Sequence, residues 1–252
     1  MQLRTLPLGL ALLAASCLSL AHDHSHGHGH WGYEEHKGPH LWGELDPAFT
    51  TCKHGKEQSP INITATKKSA KLKPIAFNYK AGAAEIVNNG HTIQINLADG
   101  GSIKLGDEEF KLLQFHFHTP SEEQVDGRHF PMVAHLVHKS ADGKLAVVAV
   151  LLELGQENAA LREAFSAMPA QAGEKQDLAA GFNTADLLPQ DRSYYAFQGS
   201  LTTPPCSEGV RWQVLRTPVQ ISVGQFAAFK GLYPMNARPV QPLHGRRVMS
   251  TH

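Results

Sequence analysis

The chain alternates apolar and polar residues over several short segments, a pattern typical of β-strands with one buried face. Glu85-Ile86-Val87 leads into a turn at Asn88-Asn89-Gly90, and residues 91–97 alternate after it. These segments predict strands on either side of a turn. Three further strands are predicted over Phe110 to His118, Met132 to His138 and Leu145 to Leu154.

Helical patterns are fewer and shorter than the strand patterns. Residues 158–168 place apolar side chains on one face and stop before a proline. Ser222 to Gln225 has the spacing of a capping box, which predicts a short helix with Phe226 and Phe229 inside and Gly231 behind it. Together these patterns predict a β-dominated α+β fold with short peripheral helices.

Length and charge narrow the choice of architecture and partners. The 252 residues are 42% hydrophobic, enough for one large core, and no linker or repeat interrupts residues 31–252. We therefore expect those residues to form a single domain. Lys plus Arg and Asp plus Glu both total 23, so the charge is balanced and neither nucleic acid nor an anionic membrane is an expected partner.

The N-terminus has the features of an export signal. Arg4 precedes an apolar segment from Leu6 to Leu20 that is too short for a confident membrane span. Small residues at the expected positions predict a signal peptide over residues 1–21, cleaved after Ala21. A lipoprotein-type cleavage at Cys17 is the alternative. Either route predicts a periplasmic or secreted protein.

Histidine is concentrated just behind this signal. Residues 22–30 read His-Asp-His-Ser-His-Gly-His-Gly-His, with no apolar face, and are predicted to be disordered. Their imidazoles could bind zinc or copper loosely. A solubilising tail is the alternative interpretation.

Two cysteines remain after removal of the signal, Cys52 and Cys206. An exported protein with two cysteines most simply pairs them in a disulfide. Two unpaired buried thiols remain the alternative.

Three other histidines suggest a metal site. His116 and His118 are two positions apart on a predicted strand, so both point to the same side. His135 lies on the next predicted strand, which a hairpin could place alongside the first. Three imidazoles with a fourth position left for water are typical of a catalytic zinc site. Imidazole also suits copper, iron and nickel, so the ligand type alone does not select the metal.

Nine motifs follow one another along the chain: Trp31-Gly32-Tyr33, Gly38-Pro39, Gln58-Ser59-Pro60, Asn88-Asn89-Gly90-His91, Gln114-Phe115-His116-Phe117-His118, Ser121-Glu122, His135-Leu136-Val137-His138, Gly199-Ser200-Leu201-Thr202-Thr203-Pro204-Pro205 and Asn236-Ala237-Arg238-Pro239. Through these motifs, from Trp31 to about Val248, the chain resembles the α-class carbonic anhydrases, in particular exported bacterial members. Such enzymes form one domain around a large central, mostly antiparallel, twisted β-sheet. The Cys52–Cys206 pair also resembles the disulfide of exported members.

The resemblance implies a reaction and a cofactor. One zinc ion per chain would be held by His116, His118 and His135, with zinc hydroxide attacking carbon dioxide to give bicarbonate and a proton. Sulfonamides and small anions would inhibit by occupying the open metal position. Ester hydrolysis would be a side activity.

The resemblance also implies roles around the metal. Thr202 would orient the hydroxide together with Glu122, and His91 would carry protons to buffer. The residues implied to order water along the proton path are Tyr33, Asn89 and Gln94. The residues implied to surround carbon dioxide and bicarbonate are Val137, Val147, Leu201, Thr203, Val210 and Trp212.

One position departs from the family pattern. Metal-binding histidines normally donate their second ring N–H to an acceptor, and Gln114 can serve His116 in this way. The family usually places a glutamate two residues before the third ligand, where this chain has Val133. His135 must then find a backbone carbonyl, a water or another side chain, or go unsupported. We predict weaker zinc retention and some change in the acidity of the bound water.

Two other classes of protein are possible. The spacing of His116, His118 and Glu122 also fits a cupin metal motif, but Phe110 stands where cupins need glycine. A catalytically weak carbonic-anhydrase-like binding protein, or a periplasmic zinc buffer, is the other alternative. The presence of all three ligands favours an enzyme. The sequence leaves a monomer and a homodimer equally open.

Overall fold

The computed structural model describes residues 30–179 and 181–251. The predicted signal peptide, and all of the predicted histidine-rich tail except His30, lie outside the described residues. Within the described part of the chain, no helix is both long enough and apolar enough to span a membrane.

Strands dominate the described chain. In sequence order they are β1 Asn62–Ile63, β2 Thr66–Lys68, β3 Ala76–Tyr79, β4 Ala84–Asn88, β5 Ile93–Leu97, β6 Gly101–Leu105, β7 Glu108–His118, β8 Gln124–Val125, β9 Arg128–His129, β10 Met132–Ser140, β11 Leu145–Leu154, β12 Lys175–Asp177, β13 Tyr194–Ser200, β14 Glu208–Leu215, β15 Val219–Ile221 and β16 Val248–Ser250.

Thirteen of the described strands form one large sheet, in the order β12-β4-β5-β7-β10-β11-β14-β13-β16-β2, with β6 also on β7, β3 on β6 and β15 on β11. Most neighbours run antiparallel, as predicted. The parallel pairs are β11 with β14, β11 with β15 and β16 with β2. The other three described strands form a small sheet in the order β1-β8-β9.

Helices are short and lie at the periphery of the sheet. The predicted helix over residues 158–168 is shorter than expected, because its first turn is a 3-10 helix and only five residues are α-helical. The Ser222–Gln225 capping box forms as predicted, but Gly231 lies inside that helix and not behind it. The α-helices are α1 Trp42–Leu45, α2 Thr51–His54, α3 Arg162–Ser166 and α4 Val223–Leu232; the 3-10 helices are Pro47–Phe49, Ala159–Leu161 and Thr184–Leu187.

The central strands are buried on both faces, because an apolar cluster packs against each face of the sheet. Phe115 and Phe117 on β7 belong to the larger cluster, on the side covered by α3 and α4. Val133 on β10 and Val147 on β11 belong to the second cluster, on the opposite face. Since strand residues alternate between faces, His116 and His118 lie on the side of this second cluster.

Candidate metal centre

The three predicted histidines meet at the centre of the large sheet. β7 and β10 pair antiparallel with His116 directly opposite His135, and His118 follows two residues later on the same face. Ligand nitrogens of the three rings lie within 4.8 Å of one another. They form the only such group of His, Cys, Asp or Glu found among residues 30–179 and 181–251.

Hydrogen bonds to the outer nitrogens fix which ring atom of each histidine faces the centre. His116 Nδ1 lies 2.9 Å from Gln114 Oε1, and His118 Nδ1 lies 2.7 Å from the carbonyl oxygen of Asn236. His135 Nε2 lies 3.1 Å from Glu123 Oε2. Each partner is an oxygen acceptor, so each outer nitrogen carries the proton and the inner nitrogen keeps a free lone pair.

The inner atoms have the properties of metal ligands. His118 Nε2 is fully buried and has no hydrogen-bond partner in the described structure. Burial, with a smaller effect from His135, lowers the pKa of His116 to about 3 and that of His118 well below its usual range. Both rings are therefore neutral at physiological pH, as metal coordination requires.

His135 responds differently to burial. Burial lowers the pKa of His135, but the carboxylates of Glu123 and Glu122 more than offset this, so the pKa is raised. Glu122 Oε2 lies 3.7 Å from His135 Nδ1 and 3.5 Å from His118 Nε2. This carboxylate therefore borders the space enclosed by the three inner nitrogens.

Glu122 is held in place by its second oxygen. The backbone N–H of Arg238 donates to Glu122 Oε1 at 2.7 Å. Burial raises the pKa of Glu122 to about 7; Glu123 adds to this, while His135 and a hydrogen bond from the Thr202 hydroxyl oppose it. Thr202 therefore lies close enough to Glu122 to affect its pKa.

A cavity of about 130 Å³, lined mostly by residues with polar or imidazole side chains, adjoins the centre. His91 lines it and stacks on Trp31 with ring centroids 3.7 Å apart. Burial and the charge of His30 lower the pKa of His91, and Glu34 opposes the shift. The lining residues are Trp31, Tyr33, Asn89, His91, Thr92, Gln94, Gln114, His116, His118 and Thr203.

The predicted apolar residues lie together on the other side of the centre. Trp212 packs edge-on against His135, with ring centroids 4.9 Å apart, and its Nε1 donates to the Ser200 carbonyl at 3.0 Å. Four of its predicted neighbours belong to the same apolar cluster, namely Val137, Val147, Leu201 and Val210. One wall of the site is therefore polar and the other apolar.

The predicted disulfide between Cys52 and Cys206 is present. It joins α2 to the loop that carries Thr202 and Thr203, across a sequence separation of 154 residues. Cys206 is fully buried beside Trp42 and Phe49. The bond fixes one end of that loop to the N-terminal part of the domain.

Sequence reasoning missed three residues of the centre. Asn236 accepts from His118 through its carbonyl, and its side-chain Nδ2 donates to the carbonyls of Phe117 and His91. Arg238 donates its backbone N–H to Glu122. Both residues belong to the motif Asn236-Ala237-Arg238-Pro239, for which no role was predicted from the sequence.

Glu123 is the third missed residue, and it changes the expectation attached to Val133. Val133 is fully buried in the second apolar cluster and offers no acceptor. Glu123, from the loop between β7 and β8, reaches the same histidine instead. The absence of a glutamate at position 133 therefore leaves no missing support at His135, and weaker zinc retention no longer follows from it.

Fold and site together define a class of protein: a large β-sheet with an open three-histidine centre between a polar and an apolar wall. The family model for eukaryotic-type carbonic anhydrases matches residues 37–252. A carbonic anhydrase of Pectobacterium carotovorum is 43% identical over 96% of this chain and 98% of its own, and one of Neisseria gonorrhoeae is 45% identical over 98% of both.

A solved structure agrees with the sequence comparisons. The α-carbonic anhydrase of Thermovibrio ammonificans, in complex with the inhibitor sulfanilamide, superposes with a TM-score of 0.86 at 44% identity, covering 88% of this chain and all of that one. The chain therefore belongs to the eukaryotic-type, or α-class, carbonic anhydrase family. Membership supports carbon dioxide hydration as its activity.

Proposed function

We propose that this chain catalyses the reversible hydration of carbon dioxide with one zinc ion held by His116, His118 and His135. The observation that carries the proposal is the arrangement of three inner nitrogens within 4.8 Å, each ring fixed by an acceptor on its outer nitrogen. No fourth protein ligand completes the group among the described residues. The centre thus has the open position of a catalytic zinc site.

Zinc held there would lower the pKa of water to about 7 and supply hydroxide at neutral pH, chemistry for which carbonic anhydrase is itself the reference case. His116 and His118 fit this ion because they are neutral imidazoles, and the acceptors on the outer nitrogens preset the tautomers of all three rings. Glu122, with a cation beside it, loses its proton more readily and accepts from the Thr202 hydroxyl. With its proton donated to Glu122, the Thr202 hydroxyl can only accept a hydrogen bond from the open site. A hydroxide there would have to donate to Thr202, and this would fix its orientation.

The apolar wall suits a substrate without strong hydrogen-bonding groups. Val147, Val210 and Trp212 are almost completely buried and present only carbon atoms and an already bonded indole N–H. Carbon dioxide can bind there without leaving a polar group unsatisfied. Thr203, on the polar side of the cavity, is placed to contact bicarbonate.

Protons leave through the polar cavity. His91 shares that cavity with His116 and His118, and Asn89 donates to Gln94 at 3.2 Å along its wall. Burial raises the pKa of Tyr33 well above its usual range, so Tyr33 stays a neutral hydroxyl able to order water. These side chains form a path from the centre to a half-buried imidazole at its mouth.

The decisive experiment is stopped-flow carbon dioxide hydration by the mature protein, with zinc content determined on the same sample. We expect fast, sulfonamide-sensitive turnover with about one zinc per chain. Full zinc loading without turnover would contradict the proposal and favour a binding protein. Fast turnover by a zinc-free sample would contradict the assigned cofactor.

Replacing His91 by alanine should slow turnover at high substrate concentration, because the proton then has no relay. The expected fall in kcat is on the order of 10²-fold, with kcat/KM much less affected, and imidazole buffer should restore part of it. The pKa of His91 is lowered, and at pH values above that pKa its ring is neutral and able to accept a proton. In the unaltered protein, kcat should therefore rise as the pH is raised through the pKa of His91.

The matched control for His91 is His36→Ala, which removes an exposed histidine from the nearby N-terminal segment. It should leave kcat unchanged. A His91→Ala variant whose kcat is unchanged, or whose loss no buffer restores, would exclude the relay.

Replacing Thr202 by valine removes one hydroxyl and keeps the shape of the side chain. Loss of orientation at the reacting centre should lower kcat/KM by about 10²-fold, with zinc content unchanged. Thr203→Val is the matched control and should cost less, because Thr203 has no hydrogen bond to Glu122. Equal losses in the two variants would contradict a special role for Thr202.

We also propose that the protein works outside the cytoplasm, in the periplasm or the surrounding medium. The Cys52–Cys206 disulfide supports an oxidising compartment. The signal peptide predicted over residues 1–21 agrees with that compartment. N-terminal sequencing of the exported protein, with Ala21 expected as the last residue removed, tests this.

A further inference from the structure

Glu122 and Glu123 are consecutive residues, and they meet opposite edges of one imidazole ring. Glu122 Oε2 faces His135 Nδ1, the inner nitrogen, while Glu123 Oε2 lies 3.1 Å from His135 Nε2, the outer nitrogen. The two residues lie in the bend just before β8, and their carboxyl groups approach the ring from its two edges. Both carboxyl groups are completely buried.

Among residues 30–179 and 181–251, the Glu123 carboxylate has no hydrogen-bond partner besides this histidine. Its second oxygen, Oε1, is buried and without a hydrogen-bond partner within the described residues. Burying a carboxylate without enough hydrogen bonds costs several kcal/mol, roughly, even after relaxation. A side chain that only stabilised the fold would be better replaced by an apolar one at this position. The placement of the Glu123 carboxylate is instead explained by its hydrogen bond with His135.

The backbone around Glu123 is fixed independently of the carboxylate. The Ser121 hydroxyl donates to the Glu123 carbonyl at 2.7 Å, and Ser121 N donates to the Phe130 carbonyl at 2.9 Å. On the other side, Gln124 N donates to the Ile61 carbonyl at 3.2 Å, next to the β1–β8 pairing. The segment is therefore a rigid support that holds its carboxylate against the ring.

Val133 occupies the place from which a strand residue could have reached the same nitrogen. It lies two positions before His135 on β10 and therefore on the same face of the sheet. It packs with Ile61 and Ile63, the residues that also anchor the Glu123 segment. The carboxylate that reaches His135 thus comes from the loop, while the strand position holds an apolar side chain.

We propose that Glu123 is the positioning residue for the third metal ligand, supplying from the loop the carboxylate acceptor that position 133 lacks. It fixes the tautomer of His135 with Nδ1 free for the metal, and it increases the basicity of that nitrogen. The proposal rests on the proposed zinc site and concerns metal retention, not the chemical step.

Glu123→Met tests this, because methionine keeps the length of the side chain and removes the acceptor. Zinc affinity, measured on metal-free protein by competition with a chromophoric chelator, should fall by about 10–100-fold, a range drawn in part from carbonic anhydrase itself. The metal-free variant should unfold at the same temperature as the unaltered metal-free protein or higher, since a buried charge has been removed. Gln124→Ala, the neighbouring control, should change neither quantity.

Two results would overturn the proposal. One is a Glu123→Met variant with the zinc affinity of the unaltered protein. The other is an affinity loss that appears only together with a lower unfolding temperature of the metal-free form, which would mark Glu123 as a structural residue. Failure of the unaltered protein to bind zinc would instead overturn the proposed function.

Relocating the carboxylate gives a second test. In the double variant Val133→Glu with Glu123→Met, the acceptor returns to the strand, and zinc affinity should recover most of the loss. Val133→Glu alone places two carboxylates at one imidazole inside an apolar cluster and should lower the unfolding temperature of the metal-free protein. A double variant that binds zinc no better than Glu123→Met would refute the inference that a carboxylate acceptor at His135 is what retains the metal.

Discussion

Replacing His118 by alanine should abolish carbon dioxide hydration and release the metal. Loss of a residue that only hydrogen-bonds to a metal ligand can lower metal affinity by up to roughly 100-fold. Loss of the ligand itself should lower zinc affinity by well over that amount. The ring is buried, its Nδ1 is bonded to Asn236, and its Nε2 has no other purpose in the described structure. Zinc content and stopped-flow hydration on the same sample measure both effects.

His138 supplies the matched control for His118. It is equally buried, on β10, but its ring bonds the Tyr79 hydroxyl at 2.8 Å and the Ala146 carbonyl at 3.3 Å, away from the centre. His138→Ala should reduce stability and leave the zinc content unchanged. Activity surviving in His118→Ala, or zinc lost equally from both variants, would contradict the ligand assignment.

Replacing Cys206 by serine should cause the largest loss of stability of any single change considered. A cross-link closing a loop of this length stabilises the folded state by at most about 5 kcal/mol in the chain-entropy account. For a chain of this size each kcal/mol corresponds to about 2–4 °C in Tm. Thermal unfolding of the variant, followed by circular dichroism, should therefore show a Tm lower by roughly 5–20 °C.

Activity should fall with stability in this variant, because the bond holds the loop that carries Thr202. The doubly substituted Cys52→Ser, Cys206→Ser protein separates loss of the cross-link from effects of a lone thiol. It should match the unaltered protein measured under reducing conditions. A Tm insensitive to both treatments would show that the loop is held without the disulfide.

The sequence predicted the strands of the site well because their signals are local. Alternation along β7 and β10 and the apolar run of β11 predicted the observed strands, and the bounds of β11 agree at both ends. Helix α3 was overestimated, since the apolar spacing of residues 158–168 does not distinguish a 3-10 turn from an α-helical one. The parallel pairing of β11 with β14 depends on distant segments and left no local pattern.

In the metal centre, too, features with a local sequence pattern were predictable and contacts between distant segments were not. The three histidines were predictable because strand periodicity puts two of them on one face and a neighbouring strand brings the third. The acceptors behind them were only partly predictable. Gln114 shares a strand with its histidine, whereas Glu123 and Asn236 reach theirs from loops whose course the local sequence does not determine.

Asn236 has a consequence for the order in which the molecule becomes complete. It joins His118, the Phe117 carbonyl and the His91 carbonyl, yet it is synthesised more than a hundred residues after all of them. Arg238, two residues later, reaches back to Glu122 and to the Cys52 carbonyl. A ribosome that has finished all three histidines of the centre has therefore already made Gln114 and Glu123, but not yet Asn236, the acceptor of His118. The centre is complete only when the segment that carries Asn236 and Arg238 docks against it.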